Sequence, residues 1–295
     1  MKHDPIPAFA PPHRCYVVLD LESAVVDTDG HRRYQAMERW TPTDDHQPSR
    51  RNYQRSEDPL KTPRWPFQTI VTASIMVLCE HTDGNLEISR FVTLSAPDHD
   101  EAEIVTQILT VLDNLPRQAE LVSWGGAWHD LPMLTIAALK HGLSLPEDWK
   151  WIAWGGDGRV RHIDLSRVLT GGFKMKPVHM AEYCAALNIP SKISAPAFAV
   201  TKLIYAGRWD EVQEVCEGDV ISTALLLARW RRLLDHRAEI DVVEDRLLRQ
   251  IERLRAGRGY LTDLRSKSAI RLQARWSKAA SDLEHLAPWL CAEAA

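Results

Sequence analysis

Apolar and polar positions follow two different periods along the chain, and the switches between them mark out its elements. Residues 14–22, Arg-Cys-Tyr-Val-Val-Leu-Asp-Leu-Glu, are a nearly continuous apolar run that ends in carboxylates, which predicts a buried strand with acids at its exit. Thr69–Leu78 and Leu86–Leu94 are two further β-rich runs, and the Asp83-Gly84-Asn85 between them predicts a hairpin. Helical spacing takes over at Asp98–Leu115, where Ile104, Ile108, Val111, Leu112 and Leu115 share a face. Leu121–Trp124 reads as a short strand stopped by Gly125-Gly126. Leu131–Lys140 then reads as a helix with Asp130 at its N-cap and Pro132 in the first turn. Arg161–Leu165 reads as another short strand. Val178–Leu187, Asp210–Leu234, Ile240–Leu254 and residues 261–288 read as helices, the last set off by Gly257-Arg258-Gly259.

Residues 24–66 break this rhythm. They are polar, rich in charge and carry Pro42, Pro48, Pro59, Pro63 and Pro66, so they read as a long insertion or loop. The order is a strand, a hairpin, a helix, a strand and then mainly helices. It predicts an α/β class with a mixed sheet flanked by helices. The expected organisation is a body over residues 1–235, with the insertion at 24–66, and a basic helical C-terminal extension over 236–295.

The net charge of −4 does not announce a nucleic-acid binder, but its distribution is uneven. Between Arg229 and Lys278 there are fourteen Lys/Arg against seven Asp/Glu, so the rest of the chain carries about −11. An acidic body beside a basic segment suits a metal-using phosphodiesterase, whose carboxylates hold cations and whose basic side chains hold phosphates. The five cysteines, Cys15, Cys79, Cys184, Cys216 and Cys291, include no Cys-x-x-Cys pair, which argues against structural zinc. No charged-then-apolar leader and no apolar run of about 18 residues is present, so the expectation is a soluble cytoplasmic protein with no membrane partner.

Four acids stand out by position. Asp20 and Glu22 are two apart on a strand and project from one face. Asp130 sits at a glycine-rich strand-to-helix junction, and Asp219 lies in a helix among Val215, Val220, Leu225 and Leu226. Singly each is weak: an aspartate at a strand end is more often a turn former, and Asp130 would make a good N-cap with no chemistry at all. As a set they are more informative, because converging carboxylates repel and are costly to bury without cations. Oxygen-only ligands suit Mg²⁺ or Mn²⁺, and a pair of such ions can activate water and stabilise the leaving oxygen of a phosphodiester. Asp164 reads as a cap for the segment after it, and His129 and His162 as structural or rim residues.

These residues lie in motifs that resemble a known family. Tyr16-Val-Val-Leu-Asp-Leu-Glu22 resembles the first motif of the proofreading-type 3′–5′ exonucleases with four acidic metal ligands. Leu121-Val-Ser-Trp-Gly-Gly-Ala-Trp-His-Asp-Leu-Pro-Met-Leu134 is similar to their second motif, and Val215-Cys-Glu-Gly-Asp-Val-Ile-Ser-Thr223 to their third. Arg161-His-Ile-Asp-Leu165 also resembles the exonuclease group related to family-B DNA polymerases. The resemblance runs from about residue 14 to 232 and implies a ribonuclease-H-like fold. It further implies two Mg²⁺ or Mn²⁺ ions held by Asp20, Glu22, Asp130 and Asp219, and removal of nucleotides from single-stranded 3′ ends, DNA favoured over RNA. Ser23, Trp124 and Trp128 would lie toward the substrate, although core packing is at least as good a reading of the two tryptophans.

One departure matters. The branch it resembles places a water-orienting tyrosine four residues before the last aspartate; that position is Val215 here. A sister branch places a histidine five residues before it; that position is Glu214, open to reading as a general base, a metal ligand or a solvated side chain. An active exonuclease and a catalytically weakened nucleic-acid-binding or partner-recruiting protein therefore both stay open. Arg246, Arg249, Arg253, Arg255 and Arg258 read as a solvated helix face with acid–arginine pairs. The sharper alternatives are a phosphate track, or a surface for a homo-oligomer or protein partner.

Overall fold

The computed structural model describes residues 14–24, 30, 65–154, 161–172, 178–191, 193–195 and 199–286. The insertion read over 24–66 therefore lies almost wholly outside the described residues. Strands β1 (Arg14–Ala24), β2 (Thr69–Glu80), β3 (Leu86–Ser95), β4 (Glu120–Ser123) and β5 (His162–Asp164) form one sheet in the order β3-β2-β1-β4-β5. β1 pairs antiparallel with β2 and parallel with β4, so the sheet is mixed and flanked by helices, as the order of elements predicted. The helices are α1 (Glu101–Asp113), α2 (Asp130–His141), α3 (Leu165–Leu169), α4 (Met180–Ala186), α5 (Val200–Tyr205), α6 (Trp209–Arg232), α7 (Ile240–Leu254) and α8 (Leu261–Leu286). No described helix is long and apolar enough to cross a membrane.

The alternation along β1 builds two cores. Cys15, Val17, Leu19 and Leu21 face one side, where they pack with Ile104, Ile108 and Leu112 of α1 and Leu131 and Leu134 of α2. Tyr16 and Val18 face the other side, where they meet Val220, Ala224 and Leu227 of α6 and Leu247 and Ile251 of α7. The period of two then carries Asp20 and Glu22 onto the α6 side, just past the apolar row. Burial on both faces explains why β1 reads as a continuous apolar run.

Element ends differ from the sequence reading for local reasons. The Asp98–Leu115 segment starts its helix only at Glu101, because Asp100 and Glu103 form a reciprocal capping box. α2 begins one residue earlier than expected: Asp130 is its first residue and His129 holds the cap position without a side-chain cap bond. The 3₁₀ turn at Glu147–Trp154 and the short α5 were not foreseen, whereas Ile240–Leu254 coincides with the strongly amphipathic stretch read for it.

Three buried acids, Glu80 and Glu217 of the body and Glu244 of the extension, are answered by arginines from the basic segment. Glu80 meets Arg231 and Arg237, each at 2.6 Å, and accepts from the Tyr16 hydroxyl at 3.1 Å. Glu244 forms a forked pair with Arg229. Glu217, fully buried in α6, accepts from Thr93 (2.7 Å), Arg258 (2.9 Å) and Tyr260 (2.8 Å), and lies 3.5 Å from Arg255. Arg255 also stacks over the Phe91 ring at 4.0 Å. Much of the positive excess is thus internal counter-charge, while Arg249 keeps to a surface pair with Asp245.

Removing one member of a buried ion cluster strands the others, whereas an exposed pair is worth little. Glu217→Ala should cost about 3–5 kcal/mol in urea unfolding. Arg249→Ala should stay within about 0.5 kcal/mol of the parent. Equal losses from the two would refute this division.

Candidate metal centre

Asp20 and Glu22 leave β1 on the face that α6 covers, and α6 presents Asp219 there. Ligand oxygens of Asp20, Glu22 and Asp219 all lie within 4.8 Å of one another. Asp130 is outside that trio but close enough for its charge to act on Asp20, and Asp130 is itself acted on by Asp219. The structure therefore gathers all four acids that the sequence singled out, three of them tightly.

The group is electrostatically unfavourable as it stands. Burial first, and then the charges of Asp130, Asp219 and Glu22, hold the Asp20 carboxyl well above the usual carboxylate range. Asp130 is also pushed up by burial, offset in part by His129, whose Nδ1 lies 3.3 Å from Asp130 Oδ1. The same contact raises His129. Asp20 retains some exposure as a residue, yet its Oδ2 is enclosed and has no hydrogen-bond partner. Crowded hard oxygens with an orphaned buried atom fit a divalent cation such as Mg²⁺ or Mn²⁺. Beside the acids runs a polar ladder: Thr72 with Ser95 at 2.8 Å, and Ser74 with Thr93 at 3.1 Å, across β2 and β3. Ser74 and Thr72 are the cross-strand partners of Asp20 and Glu22. A register shift in the β1–β2 pairing falls between Glu22 and Ser23, at the mouth of the site.

Asp130 owes its position to the loop before it. Asp164 accepts backbone N–H groups from Gly125 (2.8 Å), Ala127 (3.2 Å), Ser166 (3.1 Å) and Arg167 (3.4 Å). It caps α3, as read from the sequence, and in addition fastens the 125–127 turn to β5, a role that no local pattern reveals. Gly125 takes φ +74°, which favours glycine. At Gly126 an added Cβ would meet Ser123 Oγ at 2.4 Å and Asp130 Oδ2 at 3.0 Å, so the chain passes too close for any side chain.

The remaining expected residues fall at varying distances from this group. Ser23 donates to Gln68 at 2.5 Å. Trp124 is half-buried and packs edge-on against Tyr183, with centroids 5.4 Å apart, while Trp128 stands 69% exposed in the loop before Asp130. His162 is buried against Ser123 Oγ at 2.8 Å. Val215 is buried with Val200, Leu203 and Val212. Glu214 is not brought to the acids: its carboxylate accepts the Gly259 N–H at 2.6 Å. Sequence reasoning missed Cys216, whose Sγ lies 3.3 Å from the Asp20 carbonyl oxygen and whose thiol is pushed up chiefly by burial.

Gly126→Ala should displace either Ser123 or Asp130. Affinity for Mn²⁺, read by calorimetry, should fall about 10–100-fold, the range found when groups that orient metal ligands are removed. An unchanged affinity in a folded variant would show that the close approach at Gly126 does not set the position of Asp130.

Among curated proteins none matches the chain in sequence. The family B DNA polymerase from the archaeon Pyrobaculum calidifontis is similar at 16% identity and a TM-score of 0.48, over 76% of this chain and 25% of that one. E. coli exonuclease I, in complex with a dT13 oligonucleotide, is similar at 8% identity and a TM-score of 0.41, over 75% of this chain and 42% of that one. The chain thus spans a quarter to about two fifths of these proteins. A family described as "Predicted 3'-5' exonuclease related to the exonuclease domain of PolB" matches residues 62–263. That span includes Asp130 and Asp219; Asp20 and Glu22 precede it and join them through the sheet and through the packing of α6 on β1. With more than half of its length matched, the chain belongs to this family of 3′–5′ exonucleases related to the exonuclease domain of PolB.

Proposed function

We propose that the chain hydrolyses phosphodiester bonds at the 3′ end of single-stranded nucleic acid, DNA in preference to RNA, in a cytoplasmic setting. The observation that carries this reading is the convergence of Asp20, Glu22 and Asp219 oxygens within 4.8 Å, beside an unpartnered buried Oδ2 of Asp20. Asp20, Glu22, Asp130 and Asp219 would hold two Mg²⁺ or Mn²⁺ ions. Such ions, when bound, supply Lewis-acid activation of water and neutralise charge at the scissile phosphate. The chain's own contribution is to fix the carboxylates: β1 and α6 set three of them, and the turn held by Asp164 sets Asp130. Ser23 and Trp128 would lie toward the terminal nucleotide, and the 69% exposure of Trp128 supports that reading.

A second reading, a nuclease fold with weakened catalysis that binds strands or recruits partners, has one observation in its favour. The side chain at the water-orienting position is Val215, buried among Val200, Leu203 and Val212 with no polar atom to offer. Incubating 3′- and 5′-labelled single strands with and without Mn²⁺ separates the readings. A metal-dependent ladder that falls at least about a hundred-fold in Asp20→Ala supports hydrolysis, since even indirect support of a metal site is worth 10–100-fold. Binding with no cleavage by the parent protein would establish the second reading instead.

Linkage gives an independent check. A carboxyl whose folded pKa is raised stabilises the fold below its unfolded pKa, and that stability is lost as pH rises through the folded value. Chelator-treated protein should therefore lose stability as pH rises past the usual carboxylate range, through the raised value of Asp20. Asp20→Asn should raise the chelator-treated Tm by a few degrees and remove the further rise that Mn²⁺ gives the parent. If Asp20→Asn lowers Tm while the Mn²⁺ effect survives, Asp20 is not the strained ligand.

Val215→Tyr should not restore the missing hydroxyl cheaply. Overpacking the Val200–Leu203–Val212 cluster should cost about 1–3 kcal/mol in urea unfolding. A neutral substitution with a gain in nuclease rate would show instead that the site has room for the tyrosine.

A further inference from the structure

The sheet brings together two cysteines that are 64 residues apart in sequence. Cys15 and Cys79 are direct cross-strand partners in the antiparallel β1–β2 pair. Opposed residues in such a pair have Cα atoms about 4.5 or 5.5 Å apart, and both spacings lie within the 4.4–6.8 Å range that a disulfide spans. The two side chains project from the same face and both are free thiols. Their surroundings differ. Cys15 is buried at 3% exposure, whereas Cys79 is half-buried beside exposed Glu87 and Ser89 of β3. One thiol is thus reachable from solvent and the other is hidden behind it, the arrangement of an attacking and a resolving cysteine.

We propose that Cys15 and Cys79 are a site of oxidative modification, at which a small-molecule disulfide is reduced and a cross-strand disulfide closes. Cys79 thiolate attacks one sulfur of the incoming disulfide and expels the other as thiolate, leaving a mixed disulfide on Cys79. Cys15 loses its proton, its sulfur attacks the Cys79 sulfur, and the second small thiolate leaves. The balance is two protein thiols and one disulfide giving one protein disulfide and two small thiols. The local electrostatics favour this order of attack. A hydrogen bond with Cys15, helped by Ser89 and His81, draws the Cys79 thiol down to about 6, while the same contact and burial push Cys15 up. Asp20 lies five residues further along β1, about 17 Å away at strand rise, so this site is separate from the carboxylates and does not rest on the exonuclease reading.

The test uses the folded protein carrying Cys291→Ser, because Cys291 lies outside the described residues. It is treated with oxidised glutathione and followed by intact mass, thiol titration and peptide mapping, with the thermal midpoint recorded to show that the fold persists. Two titratable thiols should be lost together, and one linked peptide pair should contain Cys15 and Cys79. In Cys15→Ser the reaction should stop at a glutathione adduct on Cys79, formed at least about ten-fold faster than any adduct on buried Cys184 or Cys216. Cys79→Ser, at a half-buried position, should give neither crosslink nor adduct. The proposal fails if the Cys291→Ser protein with both Cys15 and Cys79 intact accumulates a stable Cys79–glutathione adduct, if linkage involves Cys184 or Cys216, or if no thiol reacts.

Discussion

Four carboxylates that repel one another at the end of a sheet are the constraint around which the rest of the molecule is organised. Two unit charges about 4 Å apart cost each other roughly 4 kcal/mol at an effective dielectric of 20. Nothing local would hold Asp20, Glu22 and Asp219 so close; the scaffold must. β1 is the central strand, paired on both sides and packed on both faces, and it fixes the first two. α6 lies across the same face through Val220, Ala224 and Leu227, and so cannot turn Asp219 away without opening the core. Asp130 depends on a chain of smaller fixings, from Asp164 through the Gly125–Gly126 turn to the first turn of α2.

The molecule handles buried acids in two ways. Glu80, Glu217 and Glu244 are met by arginines that follow Asp219 in sequence, with geometry close enough to offset their desolvation. Asp20 instead keeps an enclosed oxygen without a partner, and its charge is opposed by three neighbouring acids. The uneven charge along the chain follows from this difference. The arginines from Arg229 onward neutralise Glu80, Glu217 and Glu244 from within, whereas Asp20 sits among other acids at the proposed cation site.

Strong, regular patterns were the easiest to read from the sequence. The two-residue period of β1 placed Asp20 and Glu22 on one face, and the amphipathic stripe of Ile240–Leu254 gave α7 its bounds. Asp130 illustrates a harder case. An aspartate after a glycine pair has the chemistry of an N-cap, but the Leu131 N–H bonds to the Gly126 carbonyl at 2.9 Å, which draws Asp130 itself into the first turn. Contacts between distant segments left no trace in the sequence. The collision awaiting any side chain at Gly126, the Gly125 and Ala127 N–H groups on Asp164 and the arginine cluster on Glu217 join residues whose spacing carries no period.

The same limit explains the residue at position 214. Counting back from Asp219 along a helix places Glu214 where a sister branch carries a histidine, and that suggests chemistry. The three-dimensional neighbours suggest attachment. Asp210, Gln213, Glu214 and Glu217 are spaced as one stripe of α6, and all four engage the turn after α7: Arg258 meets Asp210, Gln213 and Glu217, and the Gly259 N–H meets Glu214. At 100° per residue, five positions put Glu214 about 140° around the helix from Asp219, while Val215 sits only about 40° away. α6 therefore carries two functions on two faces. One face positions Asp219 against β1, and the other grips the C-terminal segment, so the acid at 214 is accounted for by the grip.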